Sequence, residues 1–503
     1  MSALEAAAVD LGSHSFHMIV ARIDEGQLVV LDRMRERVSL GAGLDENRSL
    51  REDVAARALA CLERFGQRLR GMPPERVRAV GTNALRQARN GAAFAERGHR
   101  ALGYPIETIS GQEEARLVYL GVAQTVPSGT AGAVERRLVV DIGGGSTECI
   151  IGEGSDILEA DSLFMGCVSH TLRFFPDGEV TKPRFREARL AAHIELAPIV
   201  RAYRRRGWQA ALGSSGTVHA VAGLARANGW ASDGITLSAL KSLRKAMIAA
   251  GPSTRLELKG LDPERATVLA GGVAILEALF EGLGVERMTP SPGALREGLL
   301  YDLVGRIRHE DVRERTIQYF AEHYRVDREQ AARVTATALA LAADVDAAWQ
   351  LGSARARQLL GWAAHLCEIG LAIAHTGYHK HSAYIVENAH MPGFAREDQK
   401  ELAAMILGHR RKLRQGDFAR LEPERIEEVK RLTVLFRIAT ALHRSRDTEA
   451  LPRVRLAGEP TALVLSFPEG WLEERPLTAT VLDEQAAELG RAGIRLELAR
   501  HAP

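Results

Sequence analysis

Apolar positions in the first half of the chain fall in short runs that alternate with helical stretches and glycine-rich turns, the pattern of an α/β domain. Runs at residues 6–9, 18–23 and 27–31 predict a series of strands that begins with a hairpin. Helical periodicity covers residues 50–69. A strand follows at 77–80, a turn entering a helix at 82–90, a short strand at 106–109 and a helix at about 112–122. A polar, glycine-containing stretch, 127–134, then separates this region from the next. At Leu138 the order restarts: strand, Asp, Gly-rich turn, strand. The restart predicts two copies of one α/β domain, the second reaching about Arg306. From residue 312 to 445 the pattern is almost wholly helical. Residues 451–503 return to short strands (454–456, 462–467, 494–498) around one helix, a small α+β domain. The expected domains are 1–124, 125–306, 307–445 and 446–503.

The chain has 503 residues, more than one compact core usually holds. With 46% hydrophobic and 26% charged residues it has ordinary globular composition. The net charge is only +2, so no global field points to nucleic acid, and any anion site must be local. Cys61, Cys149, Cys167 and Cys367 form no CxxC pair, which fits reduced thiols rather than disulfides or a zinc site. No signal-peptide pattern opens the chain, and no uncharged apolar run is long enough to span a bilayer. The expected location is the cytoplasm, with peripheral contact at the inner membrane left open.

The candidate chemistry lies in two matched segments, AVDLGSHS (8–15) and VVDIGGGST (139–147). In each, a strand delivers one Asp, Asp10 or Asp141, into a turn of small residues. Such turns let backbone N–H groups approach a phosphate, and Gly supplies positive-φ geometry. Ser13, Ser15, Ser146 and Thr147 add hydroxyls, and Gly143, Gly144 and Gly145 leave the backbone open. A strand-end Asp is a hard oxygen ligand for Mg²⁺. Glu148 follows the second turn and could complete a metal site with Asp141, or simply be an exposed polar residue. A third small-residue loop, ALGSSGT (211–217), places Gly216 and Thr217 at a helix start, a favourable anion position. Ser110 and Glu113 match a capping box. The next residue, Glu114, has no such duty and is either a general base facing a cleft or a solvated helix carboxylate. Arg86 is either a bidentate phosphate clamp or a surface arginine.

The motifs AAVDLGSHSFHM, VGTNALRQARN, ISGQEEARLVYLGV, LVVDIGGGSTE, MGCVS, GSSGT and GALREGLLYD, in this order, resemble the exopolyphosphatase and guanosine pentaphosphate phosphohydrolase (Ppx/GppA) family. That family belongs to the ribonuclease H-like, sugar kinase–Hsp70–actin superfamily. The resemblance implies two actin-like domains, a helical HD-like domain and a small α+β domain. It implies Mg²⁺-dependent release of a terminal phosphate in a cleft, by a homodimer. Residue by residue, it implies Glu114 as general base and Asp141 and Glu148 at metal and phosphate. Arg86, Gly145 and Ser146 are implied substrate contacts. Two positions depart from the usual pattern. His14 replaces an Asn, a residue more tolerant of left-handed geometry, and Pro292 stands where Asp is common.

In the helical region, Cys367-Glu368 stands where an HD protein carries its His-Asp pair, so a second metal is not expected there, although His375, His379, His381 and His409 are near in sequence. His379, Lys380 and His381 with residues 409–412 suggest a path for a long polyanion. Together with the resemblance of segments 375–384 and 305–313 to the exopolyphosphatase branch, this puts inorganic polyphosphate ahead of guanosine pentaphosphate (pppGpp) as the expected substrate. The guanosine nucleotides pppGpp and ppGpp stand as alternative substrate or inhibitor. A kinase and a non-catalytic alarmone sensor are the rival classes.

Overall fold

The computed structural model describes residues 4–24, 27–126, 135–307, 311–447, 451–459 and 461–499. The expected separator at 127–134 and residue His309 lie outside the described residues. The chain forms two compact units, Met1–Val312 and Arg313–Pro503.

The first unit is α/β. Strands β1 (Leu4–Leu11), β2 (Ser15–Asp24) and β3 (Gln27–Arg37) form an antiparallel meander. Strands β4 (Val77–Gly81) and β5 (Ile106–Thr108) extend it in parallel, giving the order β3-β2-β1-β4-β5. Helices α1 (Glu52–Leu69), α2 (Asn83–Gln87) and α3 (Gly91–Leu102) make the connections, and α4 (Gly111–Thr125) follows β5. The second sheet contains β6 (Arg136–Ile142), β7 (Thr147–Glu153), β8 (Asp156–Leu163), β9 (Ala210–Gly213), β10 (Ile235–Thr236) and β11 (Arg287–Pro290), in the order β10-β11-β9-β6-β7-β8. Its helices are α5 (Cys167–Phe174), α6 (Lys182–Arg206), α7 (Gly216–Ala227), α8 (Leu237–Ala250), α9 (Pro263–Leu279) and α10 (Leu295–Ile307). The series β8-β7-β6-β9-β11 repeats β3-β2-β1-β4-β5, with β10 added at the edge. In both copies the central strand is antiparallel to one neighbour and parallel to the other. The carboxyl end of such a strand is where open α/β sheets leave a crevice.

One expectation changes here. The second copy does not end with its own last helix, because α10 packs on α4 and on β1, β2 and β4 of the first sheet. Leu295, Leu299 and Leu303 of α10 share one core with Ala6 and Ala8 of β1 and with Val139 and Ile150 of the second sheet. Small residues permit the approach: a Cβ on Gly298 would sit 1.8 Å from the Leu117 carbonyl, and one on Gly121 2.1 Å from the Ala294 carbonyl. A second feature is a long apolar segment interrupted by Glu264, Arg265, Glu277 and Glu281. The segment Pro263–Gly284, which contains α9, is apolar enough by length and composition to cross a membrane, with a mean hydropathy of 1.6. It is instead mostly buried, packed against α5 and α6 in the core of the second sheet's half.

Beside the α4–α10 contact lies a buried ionic network. Arg78 donates to Asp302 at 2.6 Å and to Glu107 at 3.0 Å, Arg116 pairs with Glu113 at 2.7 Å and with Asp302, and Arg306 reaches Asp302 at 2.9 Å. Burial alone would raise the Asp302 carboxyl, but Arg116, Arg78 and Arg306 hold it well below the usual range. The expected capping box forms on the Ser110 side, which accepts from the Glu113 N–H, while the Glu113 carboxylate pairs with Arg116.

The second unit contains α11 (Val312–His323, from the boundary), α12 (Arg328–Trp349), α13 (Ala354–Leu366), α14 (Tyr378–Asn388), α15 (Arg396–Gly408) and α16 (Pro423–Leu442). It ends with β12 (Arg455–Glu459), β13 (Ala462–Ser466), α17 (Pro476–Arg491) and β14 (Arg495–Ala499). The terminal strands do not build a separate core. Leu456, Leu463, Leu465, Leu482 and Leu496 are buried in the same cluster as Leu341 and Leu435 of the helices, so the expected third and fourth domains form one unit.

Removing the shared carboxylate should expose how much the network carries. Asp302→Ala leaves the buried Arg78 and Arg116 without a central counter-charge and should lower stability by about 3–5 kcal/mol in urea unfolding. A loss below about 1 kcal/mol would show that the arginines are served by their other partners.

Candidate active site

Each central strand delivers its carboxylate to the same point of its sheet. Asp10 lies on β1 opposite His17 of β2, and Asp141 lies on β6 opposite Glu148 of β7. Between the two halves is a cleft of about 680 Å³. Its walls include Asp10, Ser13, His14, Ser15, Glu114, Asp141, Gly143, Gly144, Ser146, Gly216 and Thr217. The matched segments and the third loop therefore do meet in space. Arg86, Gly145, Thr147 and Glu148 are not part of the lining.

The loops are built by close approach rather than by left-handed backbone. None of residues 12–15 or 143–147 has a positive φ, which corrects the reason expected for their small residues. A Cβ on Gly144 would meet Ser13 Cβ at 2.9 Å, and one on Gly145 would meet Asn83 Oδ1 at 2.5 Å. His14 is likewise outside the left-handed region, so the exchange from Asn imposes no strain of that kind. The second loop is anchored by the MGCVS segment: the N–H groups of Cys167 and Val168 at the start of α5 donate to Gly143 and Gly144, each at 2.9 Å. Thr147 has a structural bond, donating to the Met165 carbonyl at 2.6 Å from a fully buried position.

Glu114 is brought to the cleft wall by the first turn of α4. Arg86, on α2, donates through Nη1 to the Ile109 carbonyl at 2.9 Å and to Glu114 Oε2 at 2.7 Å. Its guanidinium thus positions the candidate base, a contact that spacing did not show. Ser214 is a further residue missed from sequence. It donates to Asp141 Oδ2 at 2.6 Å, and its signal was the GSSGT loop. Asn83 also lines the cleft from within the TNALR motif.

Four carboxylates crowd this region, and their chemistry follows. Enclosure by protein, then Glu114, push the Asp10 carboxyl up to about 8, with Asp141 adding and Arg296 opposing. Burial raises Asp141 to about 6 against the Ser214 hydrogen bond. Burial, Glu114 and Asp141 push Glu148 well above its usual value, while Arg86 and the Ser162 hydroxyl oppose. The buried Asp10 Oδ1, Ser15 Oγ and Asn83 Nδ2 have no hydrogen-bond partner. Among the described residues no group of three His, Cys, Asp or Glu side chains encloses a metal by itself. Asp10 and Asp141 fit a different arrangement, in which a hard cation takes one or two carboxylates and fills its shell with phosphate oxygens and water.

The cleft also carries basic groups. Burial, then Arg265, Arg37 and Arg35, lower His14 to about 4, and burial with Arg296 lowers His17 to about 3, so both imidazoles are neutral near pH 7. Arg33, Arg35, Arg265 and Arg296 line the cleft. Of these only Arg296 fell within a motif quoted from the sequence.

In the second unit the histidines hold no metal-like cluster among the described residues. His365 bonds the Gly361 carbonyl of its own helix, Glu368 pairs with Arg446, and Cys367 is buried.

A two-halved α/β protein with small-residue loops, carboxylates and arginines around one cleft has the features of a class that handles phosphoryl groups. The Ppx/GppA phosphatase family matches residues 19–307, and Ppx/GppA phosphatase, domain III, matches residues 312–486. The chain is 38% identical over 490 residues, 97% of each chain, to the guanosine-5'-triphosphate,3'-diphosphate pyrophosphatase of Pseudoalteromonas translucida. It is 40% identical over 476 residues, 95% of each chain, to the protein of that name from Aeromonas hydrophila. Among solved structures it is similar to the Aquifex aeolicus PPX-GPPA enzyme (28% identity, TM-score 0.50, 59% of this chain and 99% of that one). It is also similar to an exopolyphosphatase from Cytophaga hutchinsonii (26% identity, TM-score 0.54, 60% of this chain and 98% of that one). The chain belongs to the Ppx/GppA phosphatase family.

The crowded carboxylates give a pH-dependent stability in the absence of divalent cations. Asp10 ionises near 3.8 in the unfolded chain and near 8 in the folded one, so the folded state keeps a proton that the unfolded chain has lost. This contribution is full below about pH 4 and fades as pH rises towards 8. Asp10→Asn should therefore stabilise the metal-free protein at pH 8 by roughly 1–3 kcal/mol, measured by thermal melting, and do little at pH 4. Equal effects at both pH values would contradict the enclosure of Asp10.

Proposed function

We propose that the protein removes the terminal 5'-phosphate of guanosine 5'-triphosphate 3'-diphosphate, releasing inorganic phosphate and the corresponding tetraphosphate. The observation that carries the reading is Glu114, paired with Arg86 at the wall of a cleft framed by Asp10 and Asp141. The relatives similar over almost the whole chain carry the name of this activity. This reverses the substrate order expected from segments 375–384 and 305–313. A physical reason supports the reversal. His379 and His409 are buried, and burial lowers them to about 4 and about 3, so they offer a polyanion no positive charge near neutral pH. The cleft also has apolar walls at Met18, Met34, Ala220, Leu224 and Leu261, which suit a nucleoside and offer nothing to a bare phosphate chain.

Mg²⁺, held by Asp10 and Asp141 with Glu148 behind them, would supply charge neutralisation at the terminal phosphoryl group. The small-residue loops at Ser13 and Gly144 would lie against the same phosphates. Arg265 and Arg35 compensate the remaining phosphate charge. Glu114, fixed by Arg86, accepts a proton from a water that attacks the terminal phosphorus in line, and the bridging P–O bond breaks with its electrons on the leaving nucleotide. Exopolyphosphatase activity is the second reading, favoured by the likeness to the Cytophaga hutchinsonii protein. We read the protein as a homodimer whose helical unit is an HD-like scaffold without the His-Asp metal pair.

Phosphate release with Mg²⁺, compared side by side, should give a higher kcat/KM for the guanosine nucleotide than for long polyphosphate. The reverse order would restore polyphosphate as substrate. Glu114→Gln should lower kcat by about 10²–10⁴-fold with nucleotide affinity within a few-fold. Near-normal turnover would remove Glu114 from the role of base.

A further inference from the structure

The second unit has a cavity of its own, about 420 Å³, walled by α12, α13, α14, α16 and α17 and by the turn after α15. Its size lies within the range of about 300–1,000 Å³ usual for small-molecule sites. Four arginines line it: Arg410, Arg437, Arg444 and Arg446. Among the described residues the lining carboxylates are Asp327 and Glu368, and Arg446 occupies both, at 2.9 and 2.5 Å. Of the other three, Arg444 approaches Glu484 at 3.9 Å, which leaves Arg410 and Arg437 with no lining carboxylate among the described residues.

Arg437 is the most unusual of them. It is 1% exposed, and its partners are neutral: Nη1 donates to the Gly408 carbonyl at 2.6 Å and Nη2 to the Arg411 carbonyl. Its Nε–H has no partner at all. Burial pulls this guanidinium down to about 10, with only Glu488 opposing. A buried cation without a bonded anion is costly unless something supplies the anion. Arg410 sits nearby with its guanidinium 5.1 Å from the centre of the Tyr378 ring, which holds it in place. The remaining wall includes Val326, Val334 and Leu371. An anion with a carbon body satisfies both halves of such a cavity, and a bare phosphate chain satisfies only one.

We propose that this cavity is a second ligand site that takes a small phosphate ester, its phosphate on Arg437 and Arg410 and its carbon body against Val326, Val334 and Leu371. Guanidinium forks match phosphate oxygens better than they match a single carboxylate in a site with several cations. The site is distinct from the cleft in residues and in unit, and it does not depend on which substrate the cleft hydrolyses.

The test uses the full chain and phenyl phosphate as the probe, followed by saturation-transfer NMR and calorimetric titration. Inorganic phosphate, benzyl alcohol and long polyphosphate are the comparison ligands. Phenyl phosphate should bind more tightly than inorganic phosphate, and benzyl alcohol should not bind. Binding should survive Arg265→Glu, which alters the cleft, and should weaken at least tenfold in Arg410→Glu and in Arg437→Met. Arg437→Met can disturb the turn it anchors, so each variant is checked by its melting midpoint. If that variant does not fold, Arg410→Glu and the cavity-filling Ala441→Leu decide. Absence of phenyl phosphate binding, its loss only in Arg265→Glu, its persistence in Arg410→Glu, or binding of long polyphosphate alone would each overturn the proposal.

Discussion

Four carboxylates enclosed in one cleft region set the terms for the first unit. Burial, with the nearby charge of Glu114 adding to it, raises the proton affinity of Asp10, Asp141 and Glu148. Such a cluster is unfavourable in an empty protein and favourable around a cation and a phosphate. The duplicated sheet provides the geometry, since each central strand ends at the same place in its copy. Ser214, Ser162 and Arg86 each relieve part of the repulsion through a hydrogen bond. Arg33, Arg35, Arg265 and Arg296 add positive charge to the same cleft.

The helix that carries the candidate base is held from its other side. Glu113 and Glu114 are adjacent on α4, yet they serve different ends. Glu113 is fully buried and pairs with Arg116 in the network centred on Asp302, whereas Glu114 reaches the cleft. The glycine contacts between α4 and α10 bring the two helices close enough for that network to form. Motif residues such as Gly298 and Asp302, which do not line the cleft, thereby acquire a reason: they fix the helix that presents Glu114.

Local pattern carried the repeated strand–Asp–turn units, the α/β class and the helical second half, because periodicity and small-residue turns are local properties. The destination of α10 was not legible. Its apolar pattern is that of any buried helix, and its partner α4 lies far away in the chain. The positive-φ reason for Gly144 and Gly145 was also misread, since contacts from Ser13 and Asn83 restrict them rather than their own dihedral angles. Arg35 and Arg265 fall in none of the quoted motifs, and only the folding of β3 and α9 brings them to the cleft. His379 and His409 illustrate the opposite error, for a histidine-rich segment reads as a cationic path until burial shows its rings to be neutral.

The central claim is attack of water on the terminal phosphorus, with the bridging oxygen leaving on the nucleotide. Turnover of guanosine 5'-triphosphate 3'-diphosphate in ¹⁸O-labelled water, with mass analysis of both products, tests it directly. The account predicts one ¹⁸O atom in the released inorganic phosphate and none in the tetraphosphate. Label in the tetraphosphate, or release of pyrophosphate instead of phosphate, would contradict it.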